Sequence, residues 1–306
     1  MMTIAVASGK GGAGKTSFAA ALAASIGPSS ILADCDVDAA NGAIALGGSV
    51  TSREDYYAGP GYRIDASTCT GCGACTGACR FEAIKPSAGG RSYRIVPELC
   101  ERCGACMDRC IARAIGTFEK KAGELFVSKT RIGPALVHAE LEPGEDTSGK
   151  LVRKVREGST ALAGPDTAIV VDAPPGIGCP VIASLSGCDL VVVVIEASAS
   201  GIKDAERLIE LLDSMKRPAV GVINKAGLNA PMDPRAKAIL ERAGLPLAGE
   251  IPFDPSLRSV EESGKTWKDV KGAAGDSVRK ALGAVKGAMA GIARKMDHGR
   301  EKERRT

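Results

Sequence analysis

One stretch near the start of the chain limits the possible folds more than any other. Residues 9–16 read G-K-G-G-A-G-K-T and match the phosphate-binding pattern G-x-x-x-x-G-K-[ST]. An apolar run precedes them at residues 3–7, and an alanine-rich run follows at residues 17–26. A strand, a glycine loop and a helix in this order form a P-loop, where backbone N–H groups and the helix dipole surround an anion. The sequence therefore predicts an α/β fold with a nucleoside triphosphate bound at its first turn.

The residues of this loop have separate expected roles. The Lys15 side chain should reach the β- and γ-phosphates, and the Thr16 hydroxyl should bind Mg²⁺. The glycines let the backbone approach the phosphates closely. The predicted nucleotide contacts in the loop are Gly11, Gly12, Ala13, Gly14, Lys15, Thr16 and Ser17.

A second lysine, Lys10, gives the loop the form K-G-G-x-G-K-T. This form resembles the deviant P-loop of the group that contains MinD, ParA and the nitrogenase iron protein. The resemblance implies a doubly wound parallel sheet with helices on both faces. It also implies a homodimer in which Lys10 crosses the interface and touches the phosphates bound by the partner subunit. Lys10 and Lys15 are therefore both expected to be catalytic.

Two carboxylates follow the second predicted strand, residues 29–33. The carboxyl ends of parallel strands face the ligand crevice of an α/β sheet, so Asp34 and Asp36 should lie beside the phosphates. Segment 34–41 is similar to the D-x-D…N segment of MinD-type ATPases. That resemblance implies that Asp36 orients or activates the attacking water, and that Asp34 supports the Mg²⁺ shell.

A third carboxylate ends the β-branched run at residues 168–171. Such a run is typical of a buried parallel strand, which would deliver Asp172 to the same crevice. Asp172 fits the Walker B role near Mg²⁺. The P-P-G segment at residues 174–176 fits a switch loop that senses the γ-phosphate.

Alternating strands and helices continue to the C-terminal part of the chain, with strands predicted at 190–197 and 219–223 and a helix at 202–215. The last of these strands ends in Asn224 and Lys225. This pair resembles the base-contacting asparagine segment of the same ATPase group, so both residues are predicted to contact the nucleotide.

An internal repeat begins at about residue 62. Eight cysteines form two copies of C-x2-C-x2-C-x3-C, and each cysteine of the second copy follows its counterpart by 31 residues. The copies are Cys69, Cys72, Cys75 and Cys79, then Cys100, Cys103, Cys106 and Cys110. Thiolates suit both zinc and iron–sulfur clusters. Zinc is therefore the alternative to iron–sulfur. Zinc sites, however, usually pair two C-x2-C units across a spacer, whereas each copy here has three closely spaced cysteines and a fourth.

The repeated run resembles that of bacterial ferredoxins with two [4Fe–4S] clusters, in which the fourth cysteine of each run reaches the other cluster. The resemblance implies one cluster on Cys69, Cys72, Cys75 and Cys110, and the second on Cys79, Cys100, Cys103 and Cys106. The proline that usually follows the fourth cysteine is replaced by Arg80 and Ile111. That departure bears on the stability and potential of the clusters more than on their identity.

The other cysteines and one polar segment have less definite assignments. Cys35 and Cys188 are expected to be core thiols. Cys179 lies seven residues after Asp172, the distance at which nitrogenase iron proteins carry a cluster ligand. No second cysteine for such a site can be named here, so we expect a buried or redox-inert thiol. Residues 147–152 are expected to form a loop facing the dimer partner or the clusters.

Bulk properties restrict the compartment and the partners. Eleven cysteines without an export signal indicate metal binding in the cytoplasm. The net charge is +4, and six basic and three acidic residues lie in the segment 294–306, which we expect to be a frayed tail. The sequence has no stripe of basic residues of the kind that would indicate nucleic-acid binding. An amphipathic helix over 278–296 lacks bulky aromatic anchors, so packing on the sheet is expected rather than membrane binding.

The predicted organisation is a MinD-like P-loop ATPase domain (1–61 and 119–293) interrupted by a ferredoxin-like α+β insert (62–118), with the basic tail at 294–306. The predicted function is Mg²⁺-dependent ATP hydrolysis that gates low-potential electron transfer to a protein partner, with ATP, Mg²⁺ and two [4Fe–4S] clusters as cofactors. The alternative is an iron–sulfur assembly or carrier ATPase of the Mrp kind. Eight cysteines in ferredoxin register favour closed, fully ligated clusters over a labile cluster held between subunits.

Overall fold

The computed structural model describes residues 1–145 and 149–303. The chain forms two compact units. The sheet unit comprises Met1–Glu54, Glu124–Leu141 and Asp146–Thr306, and the cysteine unit comprises Asp55–Gly123 and Glu142–Glu145. The cysteine unit starts before residue 62 and ends after residue 118, because the long strands at residues 48–64 and 115–130 each belong partly to both units.

The strands of the described residues are β1 (Met2–Ala7), β2 (Ser30–Asp34), β3 (Gly48–Ile64), β4 (Ile84–Pro86), β5 (Tyr93–Ile95), β6 (Ile115–Thr130), β7 (Ala135–Leu141), β8 (Ala168–Asp172), β9 (Leu190–Glu196), β10 (Ala219–Ala226) and β11 (Leu247–Pro252). The α-helices are α1 (Lys15–Ile26), α2 (Gly42–Leu46), α3 (Ala74–Ala78), α4 (Ala105–Asp108), α5 (Gly149–Leu162), α6 (Cys179–Leu185), α7 (Ala199–Ser214), α8 (Asp233–Arg242), α9 (Pro255–Glu262) and α10 (Gly272–Glu303). Short 3₁₀ turns lie at Val37–Ala39, Pro97–Leu99, Ala230–Met232 and Trp267–Asp269.

The sheet has the strand order β11-β10-β9-β1-β8-β2-β7-β6-β3. All strand pairs from β11 to β7 are parallel, which confirms the predicted parallel α/β fold. The strand β1 lies between β8 and β9, and the register pairs Val6 with Asp172 and Asp34 with Asp172. The phosphate loop after β1 and the carboxylates after β2 and β8 therefore lie at one edge of the sheet.

The core of the sheet unit is aliphatic. Ile4, Val170 and Val192 from the central strands pack with Phe18 and Leu22 of α1, and all five are at most 2% exposed. The helix α1 is buried on most sides because its alanines let it lie close to the sheet. This packing fixes the helix whose first turn carries Lys15 and Thr16.

The helix α10 packs on the sheet, as predicted for the amphipathic segment. Val278, Ala281, Leu282 and Val285 are buried in the main core, and the helix contacts β11. The expected frayed tail at 294–306 is wrong up to Glu303, because α10 continues to that residue. Its lysine, arginine and glutamate residues are good helix formers, and cations suit a helix C-terminus. No helix among the described residues is long and apolar enough to cross a membrane.

The predicted loop at 147–152 is only partly described. Residues 147 and 148 lie outside the described residues, and Gly149 begins α5. Leu151, Val152 and Val155 are fully buried on one face of that helix. The loop prediction is therefore wrong from residue 149 onward, because these apolar residues have helical spacing and bury together.

The cysteine unit repeats its backbone as well as its sequence. Gly73 and Gly104 precede α3 and α4 with positive φ angles of 73° and 79°. Glu82 and Arg113, again 31 residues apart, both have left-handed backbone, at φ 49° and 51°. Its small core contains Cys75, Ile84 and Ile115, and β4 pairs antiparallel with β5.

Candidate functional sites

The phosphate loop borders a cavity of about 590 Å³ in the sheet unit. The loop turns with left-handed backbone at Gly12 and Gly14, at φ 77° and 92°, a conformation that glycine adopts without strain. The lining residues are Ser8, Gly11, Gly12, Gly14, Lys15, Thr16, Ser17, Asp36, Asp38, Asn41, Pro174, Pro175, Gly178, Pro180 and Val181. The loop, the segment after β2 and the predicted switch segment therefore meet around one space. Ala13 is buried at 2% exposure and does not line it.

Lys15 lies among carboxylates in the lining of this cavity. Its Nζ is 2.7 Å from Asp172 Oδ1 and 3.2 Å from Asp36 Oδ2, and its side chain is 5% exposed. Burial alone would lower the pKa of Lys15, but attraction to Asp172 and Asp36 outweighs burial and raises that pKa. Lys15 is therefore a fixed positive charge, and an incoming phosphate would compete with the two carboxylates for it.

The carboxylates of Asp34 and Asp172 are both fully buried beside this lysine. Asp34 accepts hydrogen bonds from the backbone N–H of Gly42 and Asp36, at 2.8 and 3.2 Å. Burial and the neighbouring Asp172 raise the pKa of Asp34 to about 8. Asp172 Oδ2 is buried and has no hydrogen-bond partner among the described residues. A buried acceptor without a donor and an acid that is costly to ionise both fit a site that a cation would stabilise.

Mg²⁺ suits this arrangement when a nucleotide supplies further oxygen atoms. Within residues 1–145 and 149–303, no group of three or more acidic, cysteine or histidine side chains is close enough to hold a metal ion without other ligands. Mg²⁺ usually uses one or two carboxylates together with waters and substrate phosphates. Thr16 and Asp172 would hold such an ion, with Asp34 behind them. When bound, Mg²⁺ would neutralise phosphate charge.

Lys10 is held by an acidic residue that the sequence reasoning missed. Its Nζ lies 2.7 Å from Glu196 Oε1 and 3.3 Å from the Ser198 hydroxyl. Glu196 also pairs with Lys225 at 2.7 Å. Although burial would raise the pKa of Glu196, hydrogen bonds from Lys10, Lys225 and Ser198 hold it at about 2. A signal existed in the sequence, because Glu196 ends the buried strand β9 at the same sheet edge.

Asn224 lies behind the phosphate loop. Its Nδ2 donates to Ala13 O at 2.7 Å, and the residue is 2% exposed. Asn224 is not among the cavity-lining residues, and its contact with the nucleotide base stays a prediction. Lys225 likewise pairs with Glu196 instead of lining the cavity. The reason is the close approach of the strand to the loop, which leaves the Asn224 side chain within reach of the loop carbonyl.

Three cysteines lie outside the cysteine unit. Cys35 and Cys188 are buried, at 0% and 1% exposure, which confirms them as core thiols, and burial raises the pKa of each. Cys179 is exposed, so the expected burial of this thiol is wrong, whereas its redox inertness stays a prediction. It is the first residue of α6, and the buried face of that helix is formed by Val181, Ser184 and Leu185.

The eight repeated cysteines line two cavities of the cysteine unit. The first cavity is lined by Cys69, Cys72, Cys75 and Cys110. The second is lined by Cys79, Cys100, Cys103 and Cys106. Each cavity thus takes three cysteines from one repeat and the fourth from the other. The fourth cysteines are held alike, because the backbone N–H of Ala114 and of Ala83 donates to the Cys110 and Cys79 sulfurs at 3.2 and 3.4 Å.

The apolar lining of each cavity also includes residues from the repeat that supplies its fourth cysteine. Tyr93 and Ile115 line the first cavity, and their counterparts 31 residues earlier, Tyr62 and Ile84, line the second. Four thiols, backbone N–H donors and an apolar wall are the groups that hold a [4Fe–4S] cluster. In such a cluster each thiolate bonds a different iron, so the sulfurs need not converge on one point. The residues present therefore fit this group.

Backbone donors affect individual thiols in these cavities. Hydrogen bonding from the backbone N–H of Ala74 lowers the pKa of exposed Cys72. Burial raises the pKa of Cys75 and of Cys106. Because ligation requires the thiolate, cluster binding at the buried cysteines would release protons.

Comparisons with known proteins agree with the sheet topology and the loop. The family model described as "CobQ/CobB/MinD/ParA nucleotide binding domain" matches residues 4–267. The uncharacterized protein MJ0578 of Methanocaldococcus jannaschii is 33% identical over 231 residues, which cover 75% of this chain and 80% of that protein.

Solved structures show the same fold. The MinC:MinD cell division protein complex of Aquifex aeolicus matches with a TM-score of 0.57 at 21% identity, over 94% of this chain and 96% of that one. The septum site-determining protein MinD of Pyrococcus horikoshii, complexed with Mg-ADP, matches with a TM-score of 0.57 at 17% identity, over 95% and 98%. From the family match and the 33% identical relative together, the chain belongs to the CobQ/CobB/MinD/ParA family of nucleotide-binding proteins.

Proposed function

We propose that this protein hydrolyses MgATP and uses the nucleotide state of a homodimer to gate low-potential electron transfer, through two [4Fe–4S] clusters, to a protein partner. The observation that carries the proposal is the crossed grouping of the eight cysteines in a chain that also has the phosphate-loop cavity. The insert, residues 62–118, would be a ferredoxin-like domain within the ATPase.

The hydrolytic part rests on groups that line the phosphate cavity. Lys15 would exchange its contacts with Asp36 and Asp172 for the β- and γ-phosphates. Asp36, then free of Lys15, would orient the attacking water, since its side chain is 15% exposed and borders the cavity. Thr16 and Asp172 would hold Mg²⁺. Phosphoryl transfer needs mainly positioning and electrostatic stabilisation, which these groups can supply.

The homodimer rests on Lys10. In the single chain Lys10 is paired with Glu196, and its side chain is 28% exposed. We propose that ATP-dependent association moves Lys10 from Glu196 to the phosphates of the partner subunit. A ligand shifts a conformational equilibrium only through a difference in affinity, and the γ-phosphate would provide that difference.

The electron-transfer part rests on closed ligation. Four cysteines around each cavity would leave no iron open to an acceptor, which favours an electron carrier over a cluster donor. Cluster potentials respond to hydrogen bonding and solvent exposure. Because the cysteine unit is inserted between Asp36 and Asp172 in the sequence, a nucleotide-driven change at either residue has a covalent path to the clusters.

Redox titration of the anaerobic protein tests the proposal. We expect the midpoint potential of at least one cluster to shift by tens of millivolts when a non-hydrolysable ATP analogue and Mg²⁺ are added, and the shift to disappear in Lys10→Ala. The matched control is Lys203→Ala, a lysine of α7 outside the cavity. Titrations that overlay with and without the analogue would contradict gating. Transfer of intact clusters to an apo acceptor in the same samples would instead support the assembly-factor alternative.

A further inference from the structure

The segment before α10 holds the helix of the phosphate loop at both of its ends. At the first end, a Cβ built on Gly14 would lie 2.9 Å from Cη2 of Trp267, so the indole is packed directly on the loop. At the other end, Lys268 Nζ donates to Ala24 O at 2.9 Å, in the last turn of α1. We call residues 261–270 the α1 clamp. Two neighbouring residues of this clamp thus contact opposite ends of one helix.

A third contact reaches the cavity lining itself. The Glu261 carboxylate interacts with the hydroxyl of Ser17, and Ser17 borders the nucleotide cavity. Glu261 lies in the last turn of α9. The α1 clamp therefore touches the first turn of α1 at a side chain as well as at the backbone of Gly14.

The α1 clamp is itself fixed in place. Thr266 and Asp269 form a capping box around the short 3₁₀ turn that carries Trp267. The Arg279 guanidinium of α10 donates to Val270 O at 2.7 Å. Trp267 is 5% exposed and belongs to the main core. A side chain held on a rigid turn can transmit its position to the loop that it touches.

Asn224 and Trp267 together enclose Gly14. A Cβ on Gly14 would lie 2.3 Å from Asn224 Nδ2 as well as close to the indole. Asn224 Oδ1 and Trp267 Nε1 are both buried and lack hydrogen-bond partners among the described residues. Buried polar atoms without partners lower the free energy of unfolding, so this packing destabilises the fold. A purely structural role would be served better by apolar side chains.

We propose that Trp267 is a positioning residue for the phosphate loop. By closing the space behind Gly14, its ring fixes the start of α1 and hence the direction of the backbone N–H groups that face the phosphates. The inference rests on the proposed nucleotide site and extends it to a residue far along the chain. It concerns the position of the loop, and Trp267 itself does not line the nucleotide cavity.

The test compares Trp267→Leu with Leu282→Ala in the full-length protein. Leu282 is 2% exposed in the same core but lies on α10, outside the α1 clamp. MgATP affinity is measured by calorimetry, kcat and KM by phosphate release, and melting temperature by calorimetric scanning. We expect Trp267→Leu to weaken MgATP binding and raise KM by about tenfold, since small misplacements of a binding loop are costly. Leu282→Ala should lower the melting temperature with affinity and KM within about twofold of wild type.

A conservative variant and a nucleotide-free measurement complete the test. Trp267→Phe keeps an aromatic ring on the same turn and removes the unpaired N–H, but it lacks the far edge of the indole that meets Gly14, so it should recover part of the affinity. Hydrogen exchange of the nucleotide-free protein should speed up at the amides of residues 11–17 in Trp267→Leu and stay unchanged there in Leu282→Ala. Equal effects of the two variants on affinity and on exchange would overturn the positioning role. Failure of wild type to bind MgATP would refute the proposed function, and the exchange data would still decide the position of the loop.

Discussion

Serine in place of Cys110 tests whether the fourth cysteine of each repeat serves the other repeat's cavity. Cys110 lines the same cavity as Cys69, Cys72 and Cys75, although it follows Cys106 in the sequence by only four residues. Removing one thiolate from one of two clusters should halve the metal content. We expect iron to fall from about eight to about four atoms per chain after anaerobic purification.

Double variants reveal which cluster was lost. Cys110→Ser combined with Cys69→Ala removes two ligands from one cavity, so about four irons should remain. Cys110→Ser combined with Cys103→Ala damages both cavities, so almost no iron should remain. Iron and sulfide analysis, with the broad thiolate-to-iron absorbance at about 400 nm, measures the outcome. The exposed Cys179, replaced by serine, is the matched control and should keep the full iron content.

The opposite pattern would refute the crossed grouping. If Cys110→Ser with Cys103→Ala kept half of the iron, while Cys110→Ser with Cys69→Ala lost all of it, each repeat would hold its own cluster. Stoichiometric zinc without absorbance at about 400 nm would refute iron–sulfur ligation altogether.

Three further predictions concern the sheet unit. Asp36→Ala should bind MgATP with near wild-type affinity yet lose steady-state phosphate release, whereas Lys15→Ala should lose both; wild-type turnover in Asp36→Ala would exclude its role with water. In sedimentation velocity, ATP should dimerise the wild type but not Lys10→Ala, and ADP should dimerise neither. Dimerisation of the variant with ATP would refute the contact of Lys10 with the partner's phosphates. The pKa of Glu196 lies near 2 in the folded chain, below its usual 4.5, so this group stabilises the fold above about pH 4.5 and loses that effect as pH falls toward 2. The melting temperature of the wild type should therefore fall more than that of Glu196→Gln when the pH is lowered from 5 to 3. Equal decreases would contradict a stabilising contribution of the Glu196 carboxylate.

Several features of the site followed from local sequence. The loop at residues 9–16 predicts its own geometry, because the glycines tolerate left-handed backbone and the residues on either side favour a strand and a helix. Asp34 and Asp172 each end a buried strand, and parallel strands present such ends at one edge of the sheet. These inferences needed only residue type, spacing and the direction of the chain.

Other features depended on residues far apart in the sequence. Asn224 bonds to the loop carbonyl of Ala13, 211 positions away, and the strand end that predicts its place does not set the direction of its side chain. Lys10 similarly meets Glu196 from another strand end. Cys179 is exposed because α6 turns its other face inward. Each of these side-chain positions depends on how closely two elements pack. The hydrophobic periodicity of a single element does not predict that distance.

By itself, therefore, the sequence determined the parallel α/β fold, the phosphate loop and the set of eight repeated cysteines, because each depends on short-range spacing and residue chemistry. The grouping of the cysteines in two cavities agrees with the ferredoxin resemblance. Tertiary structure decided which carboxylates hold Lys10 and Lys15, and that Trp267 lies behind Gly14. Cα positions follow from regular elements, but side-chain partners follow from the packing of elements against each other. That packing is fixed by the burial of the whole core.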